Sequence, residues 1–231
     1  IRRALVFLAL GTGCGPEPRP SDPGGAAGAA YAVVRTDYET TAIALLDRSG
    51  RILDPSVLSS GSRPPGLVAP LSGDVVLAAP PGARAGEIWV VDRLGTDVLT
   101  RLDTATGAIL GQLRVAPGDF STNPHDVALV APDRAWVSRF AVNLDPAVPA
   151  EALANDLVDI DPRSLERTGR RVDRSPFTQT VTDTREGRPV ETAVYARPGR
   201  MALVGGMLVV GFAGLSFGFD VGGPGQVGLV D

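Results

Sequence analysis

The chain has 231 residues, 44% of them apolar and 21% charged, and a formal charge of −4. That balance fits an acidic globular protein of one or two domains and excludes a collagen, a long coiled coil and a polybasic nucleic-acid arm. Glycine (28) and proline (20) mark a chain rich in turns, yet they stay below the roughly 25–30% that signals disorder. All 22 basic residues are arginine, which we read as codon bias of the source genome.

Arg2 and Arg3 are followed by the apolar run Ala4-Leu5-Val6-Phe7-Leu8-Ala9-Leu10, by Gly11, Thr12 and Gly13, and then by Cys14. A charged start, a short apolar run and small residues predict a secretory signal peptide over residues 1–13. Seven apolar residues reach only about 10 Å as a helix against a hydrocarbon core of about 30 Å, so no membrane span is expected there. Opening on Ile rather than Met points to a start a few residues upstream. Cys14 is the only cysteine, so an internal disulfide is excluded. These residues resemble the lipobox of bacterial lipoproteins, in which a cysteine after small residues is acylated. The usual Leu three positions before the cysteine is here Gly11, with Leu10 one place further back. The resemblance implies lipid attachment at Cys14, export, and a membrane partnership through the N-terminal lipid at the bacterial cell envelope, expected at the outer membrane. A cleaved signal with an incidental cysteine is the alternative. Residues 14–29, rich in Gly and Pro without apolar periodicity, suit a flexible tether.

The remainder, residues 30–231, repeats. Apolar strand-like runs ending in Asp recur at Asp47, Asp103, Asp161 and Asp231, spaced 56, 58 and 70 residues apart. A second run precedes each: AYAVVR (30–35), EIWVVD (87–92), RAWVSRF (134–140) and MLVVGF (207–212). Ahead of the last three lies a further run: DVVLAA (74–79), DVALVA (126–131) and RMALVG (200–205). The unit is therefore four antiparallel strands, with runs apolar on both sides as expected for strands buried between two sheets. Asp-Arg, Gly-Gly, Ser-Gly and Thr-Gly pairs supply the turns. Helical periodicity is confined to a turn or two at 147–156.

Repeated four-stranded sheets predict an all-β fold, a β-propeller. PHDVALVAPDRAWVSR (124–139) and EIWVVDRLGTDVLTRLDTATGAILGQLRV (87–115) resemble the YVTN-type propeller repeat. About three to four blades are expected, the first lacking its inner strand and the last its outer one. This implies an incomplete ring, truncated at the C-terminus. Extra length is expected in loops at 58–73, 116–125, 141–155, 174–199 and 213–225, all on one face of the disc, where a ligand is sought.

His125, the only histidine, stands with Asn123 and Asp126 at the start of an inner strand on that face. An imidazole beside a carboxylate can act as acid, base or ligand, although a loop anchor is the plainer role. No second ligand lies at metal spacing, so no metal is expected, and no C-x-x-C-H is present for haem. Neither G-x-S-x-G nor S-x-x-K occurs, so no catalytic residue is assigned. The recurrent Asp residues are expected to cap turns. Arg63, Arg93, Arg139 and Arg197 are candidates to meet an anion, and Phe217, with Phe212 and Phe219, a candidate apolar patch. The expected function is a non-catalytic binding or scaffold module for a protein or small molecule, with no cofactor and no nucleic-acid partner. The alternatives are the propeller portion of a periplasmic redox enzyme with its catalytic domain beyond residue 231, and a structural adhesion element.

Overall fold

The computed structural model describes residues 28–78, 80, 83–93 and 95–230. Cys14 and the expected signal segment lie outside them. Four antiparallel sheets follow one another along the chain. The first is β1 (Tyr31–Thr36), β2 (Thr41–Leu46) and β3 (Ile52–Ser59). The second is β4 (Val75–Ala78), β5 (Glu87–Asp92), β6 (Val98–Asp103) and β7 (Ile109–Arg114). The third is β8 (Pro124–Ala131), β9 (Arg134–Val142), β10 (Ala154–Asp161) and β11 (Glu166–Asp173). The fourth is β12 (Gln179–Arg185), β13 (Arg188–Val204), β14 (Met207–Ser216) and β15 (Gln226–Val230). In every sheet the strands pair in sequence order, so each is a meander.

Side chains alternate across a strand, and here each face meets a different neighbour. Trp89 and Val91 of β5 pack with Ala135 and Val137 of β9, whereas Val90 between them packs with Ile43 and Leu45 of β2. Likewise Trp136 and Leu157 of the third sheet face Leu208 and Val210 of the fourth. Three apolar seams thus join four sheets in sequence, and each fully buried Leu or Val on them stabilises by about 1.5–3 kcal/mol. The outward faces of the end sheets stay exposed, at Tyr31 and Val33 on one side and Val227 and Leu229 on the other. This is an incomplete β-propeller, with a first blade of three strands as expected.

The recurrent Asp residues share one local geometry. Asp47 accepts the Ser49 N–H at 2.9 Å, Asp103 the Ala105 N–H at 2.9 Å, and Asp161 the Arg163 N–H at 2.8 Å. Each is an Asx-turn that starts a hairpin. Within 147–156 the helix amounts to one 3-10 turn at Ala150–Ala152.

One segment departs from expectation. The stretch 174–199, read as a loop, holds β12 and the first half of β13, so the fourth sheet has four strands. Glu186 and Gly187 turn the ribbon with φ of 51° and 75°, the two positive values a tight two-residue hairpin requires. Both faces of this ribbon are largely exposed, so its sequence carries no apolar run to announce a strand.

Candidate functional site

His125 occupies an irregularity in β8: Pro124 pairs with Arg139 and Asp126 with Ser138, leaving His125 as the extra residue. Such a bulge re-aims a side chain. Its ring lies face to face on Phe140, with centroids 4.1 Å apart and planes 5° from parallel. Phe140 is in turn parallel to Phe219, at 6.3 Å and 5°. The Arg197 guanidinium rests 4.3 Å from the Phe219 ring and 5.5 Å from that of Phe140.

The approach to β8 is fixed by Asp97, a wholly buried carboxylate just ahead of β6. It accepts the Asn123 N–H at 2.8 Å and the hydroxyls of Ser121 and Thr122 at 3.2 Å each. Asn123, with φ of 50°, then delivers the chain into the strand. The Asn123 side-chain oxygen is buried without a hydrogen bond.

Arg197 is 2% exposed. Its Nη2 donates to the carbonyls of Ser216 at 2.8 Å and Phe217 at 3.2 Å, its Nη1 to that of Phe140 at 3.5 Å, and its Nε makes no hydrogen bond. Burial pulls its pKa below the usual guanidinium value. The other arginines nearby each have a carboxylate: Arg93 pairs with Asp74, Arg200 lies 3.7 Å from Asp126, and Arg185 bonds Asp220 at 2.7 Å. Burial, reinforced by the Arg93 charge, pushes the His125 imidazole down to about 4. The ring is therefore neutral at pH 7. Burial raises the Asp126 carboxyl, against its bonds to the Met201 and Val127 amides.

The turn over this cluster is Ser216–Val221. Ser216 Oγ donates to Asp220 at 2.7 Å, and Arg185 of the β12 ribbon holds the other Asp220 oxygen at 2.7 Å. Phe217 and Phe219 ride on the turn, 54% and 57% exposed. Phe212 is separate, buried on the third seam.

The structure thus brings His125, Asp126, Arg93, Arg197 and the Phe217 backbone to one end of the stack, and commits the side chains of two candidates to other partners. Arg63 is exposed and donates to the carbonyls of Ser60 and Ser62. Arg139 is buried and committed to Asp156, at 2.8 and 2.7 Å, and to the Glu151 carbonyl at 2.6 Å. Phe140, Asp97, Asp74 and Arg200 escaped the sequence reading. Phe140 carried a signal, since it ends the run that pairs with the His125 strand.

A cleft of about 820 Å³ opens elsewhere, between β7 and β11, lined by Arg167, Arg170, Arg171 and Asp159. Arg170 meets Asp159 at 2.8 Å and Arg171 meets Asp156 at 3.1 Å, so much of its charge is internally balanced. Among the described residues no group of three or more His, Cys, Asp or Glu is placed to hold a metal ion. No helix among them is long and apolar enough to cross a membrane.

No family model matches the chain, and no curated protein matches it. Among solved structures, the quinohemoprotein alcohol dehydrogenase from Comamonas testosteroni aligns over 88% of this chain at 11% identity, with a TM-score of 0.27. The chain spans 43% of that protein's length. A likeness this loose carries nothing about activity.

Proposed function

We propose that the protein is a non-catalytic binding module, tethered to the bacterial cell envelope by a lipid on Cys14, that takes its ligand at the end of the blades where His125, Phe140, Arg197 and Phe219 meet. The observation that carries the reading is the pair of exposed rings, Phe217 and Phe219, held on one short turn, with Phe219 parallel to Phe140 and His125 and facing a buried cation. Exposed aromatics on a loop fixed by a rigid scaffold suit recognition, because rings offer a large contact area at little entropic cost. Neighbouring groups offer hydrogen bonds and charge rather than an activated nucleophile, which favours capture over turnover.

Ligand-observed NMR with a chemically mixed small-molecule library tests this on the wild type and on the Phe217→Ala/Phe219→Ala double variant. Compounds that bind the wild type and lose at least tenfold in affinity on the double variant support the reading. Binding to both proteins alike, or to neither, overturns it.

A further inference from the structure

We propose, resting on that reading, that the ligand is a planar aromatic carboxylate whose anionic group meets Arg197. A guanidinium taken out of water is costly unless paired, and buried arginines are normally matched by a carboxylate. Arg139 shows the ordinary solution in this same protein: it is fully buried and doubly bonded to Asp156. Arg197 is buried to the same degree, but its partners are three backbone carbonyls and its Nε is unpartnered. Neutral carbonyls satisfy donors without cancelling charge. Arg93, Arg200 and Arg185 each have a carboxylate nearby, whereas no carboxylate among the described residues pairs with Arg197.

A carboxylate oxygen takes a strong charge-assisted hydrogen bond from a guanidinium N–H. The Arg197 Nε–H lacks an acceptor, so it is the donor such an oxygen meets. The rings specify the rest of the ligand. His125, Phe140 and Phe219 lie parallel to within 5° at each step, so a flat aromatic body extends a stack already present. Neutral His125 adds a hydrogen-bonding ring without adding charge.

A guanidinium 2% exposed is reached only when the turn above it lifts. That turn is fastened by Ser216 and Arg185, both through Asp220, and by the bonds of Arg197 to the Ser216 and Phe217 carbonyls. The Arg185–Asp220 pair is about half exposed on both sides, the kind of contact worth little net stability. It serves as a weak latch.

Isothermal titration calorimetry at pH 7 with benzoate, benzamide, benzylamine, acetate and inorganic phosphate tests the inference. Benzoate is expected to bind, with benzamide and benzylamine at least tenfold weaker. Acetate and phosphate, which lack the ring, are expected to be weaker again. Arg197→Gln and Phe219→Ala are each expected to weaken benzoate at least tenfold. Phe219 is exposed, so its variant tests the site even if Arg197→Gln fails to fold. Asp220→Asn is expected to tighten benzoate by releasing the latch. Benzamide or benzylamine binding as well as benzoate, and depending on Phe219, overturns the ligand class but keeps the mouth as a binding site. Tighter acetate or phosphate binding overturns the aromatic requirement. Benzoate binding that is indifferent to both substitutions places the anion elsewhere and overturns the proposal. No binding by any probe overturns it too.

Discussion

The Asp126 carboxylate of the third sheet accepts the backbone N–H of Met201 in the fourth at 2.9 Å. Beside it the Ser138 hydroxyl donates to the Gly199 carbonyl at 2.8 Å. Both bonds land on the irregularity of β13 between Pro198 and Met201, where the ladder to β14 shifts register. A bulge leaves backbone groups without ladder partners, and here the neighbouring blade supplies them. The seam is therefore apolar along its length and polar where the strand bends.

Asp126→Ala leaves the Met201 amide without its acceptor inside the seam. A buried donor stripped of its partner costs about 1–3 kcal/mol, so the midpoint of urea unfolding is expected to fall accordingly. Asp126→Asn keeps an oxygen in place and is expected to lose less. Equal losses in the two variants would show that the Met201 bond is not what the carboxylate contributes.

Arg139→Ala removes the cation from a pair whose side chains are 1% and 0% exposed. Breaking such a pair strands the remaining charge and typically costs about 3–5 kcal/mol. Arg171, 3.1 Å from the same carboxylate, offsets part of this. A loss of about 3 kcal/mol is expected in denaturant unfolding. Arg139→Ala combined with Asp156→Ala is expected to be less harmful than the two losses added together, a coupling that a double-mutant cycle measures. Simple additivity would rule out the pairing as the cause.

His125 makes stability depend on pH in a defined direction. Its folded pKa of about 4 lies below the unfolded value of about 6.5, so between those values the unfolded chain binds the proton and the folded one does not. Stability is whole above pH 6.5, falls as the pH drops toward 4, and the loss levels off below that. The groups that set this are the burial against Phe140, the charges of Arg93 and Arg200, and the opposing charge of Asp74. His125→Phe keeps a ring on Phe140 and cannot titrate. The stability of wild type relative to this variant is expected to decline by roughly 2–3 kcal/mol from pH 7 to pH 4. Carboxylates common to both proteins cancel in that difference. A difference flat across the range would mean that the imidazole titrates as it does in water.

Much of the fold was legible because central strands between two sheets must be apolar on both sides, and IWVV in β5 displays that directly. Turns were legible because Asp47, Asp103 and Asp161 act locally, each on an amide two residues on. The β12 ribbon was not, since a strand wet on both faces has no hydrophobic period to read. The site was half legible. His125 stood out as the lone histidine, but its contact with Phe140 depends on a register irregularity that no local pattern encodes. Arg139 and Arg197 look alike in sequence. They differ in what meets them from another strand, Asp156 for one and bare carbonyls for the other.

Cys14→Ser tests the proposed tether. Stable anchoring by acyl chains scales with buried methylenes, at about 0.8 kcal/mol each, and the cysteine sulfur is the attachment point the lipobox resemblance implies. Wild-type protein expressed in a Gram-negative host is expected in the membrane fraction, extractable by detergent and not by salt. The serine variant is expected in the soluble fraction, with unfolding transitions for the blades identical to those of wild type, because the described residues form the three seams without it. Detergent-only extraction of the variant as well would assign membrane association to something other than a lipid on this sulfur. Release of both proteins by salt would assign it to surface charge.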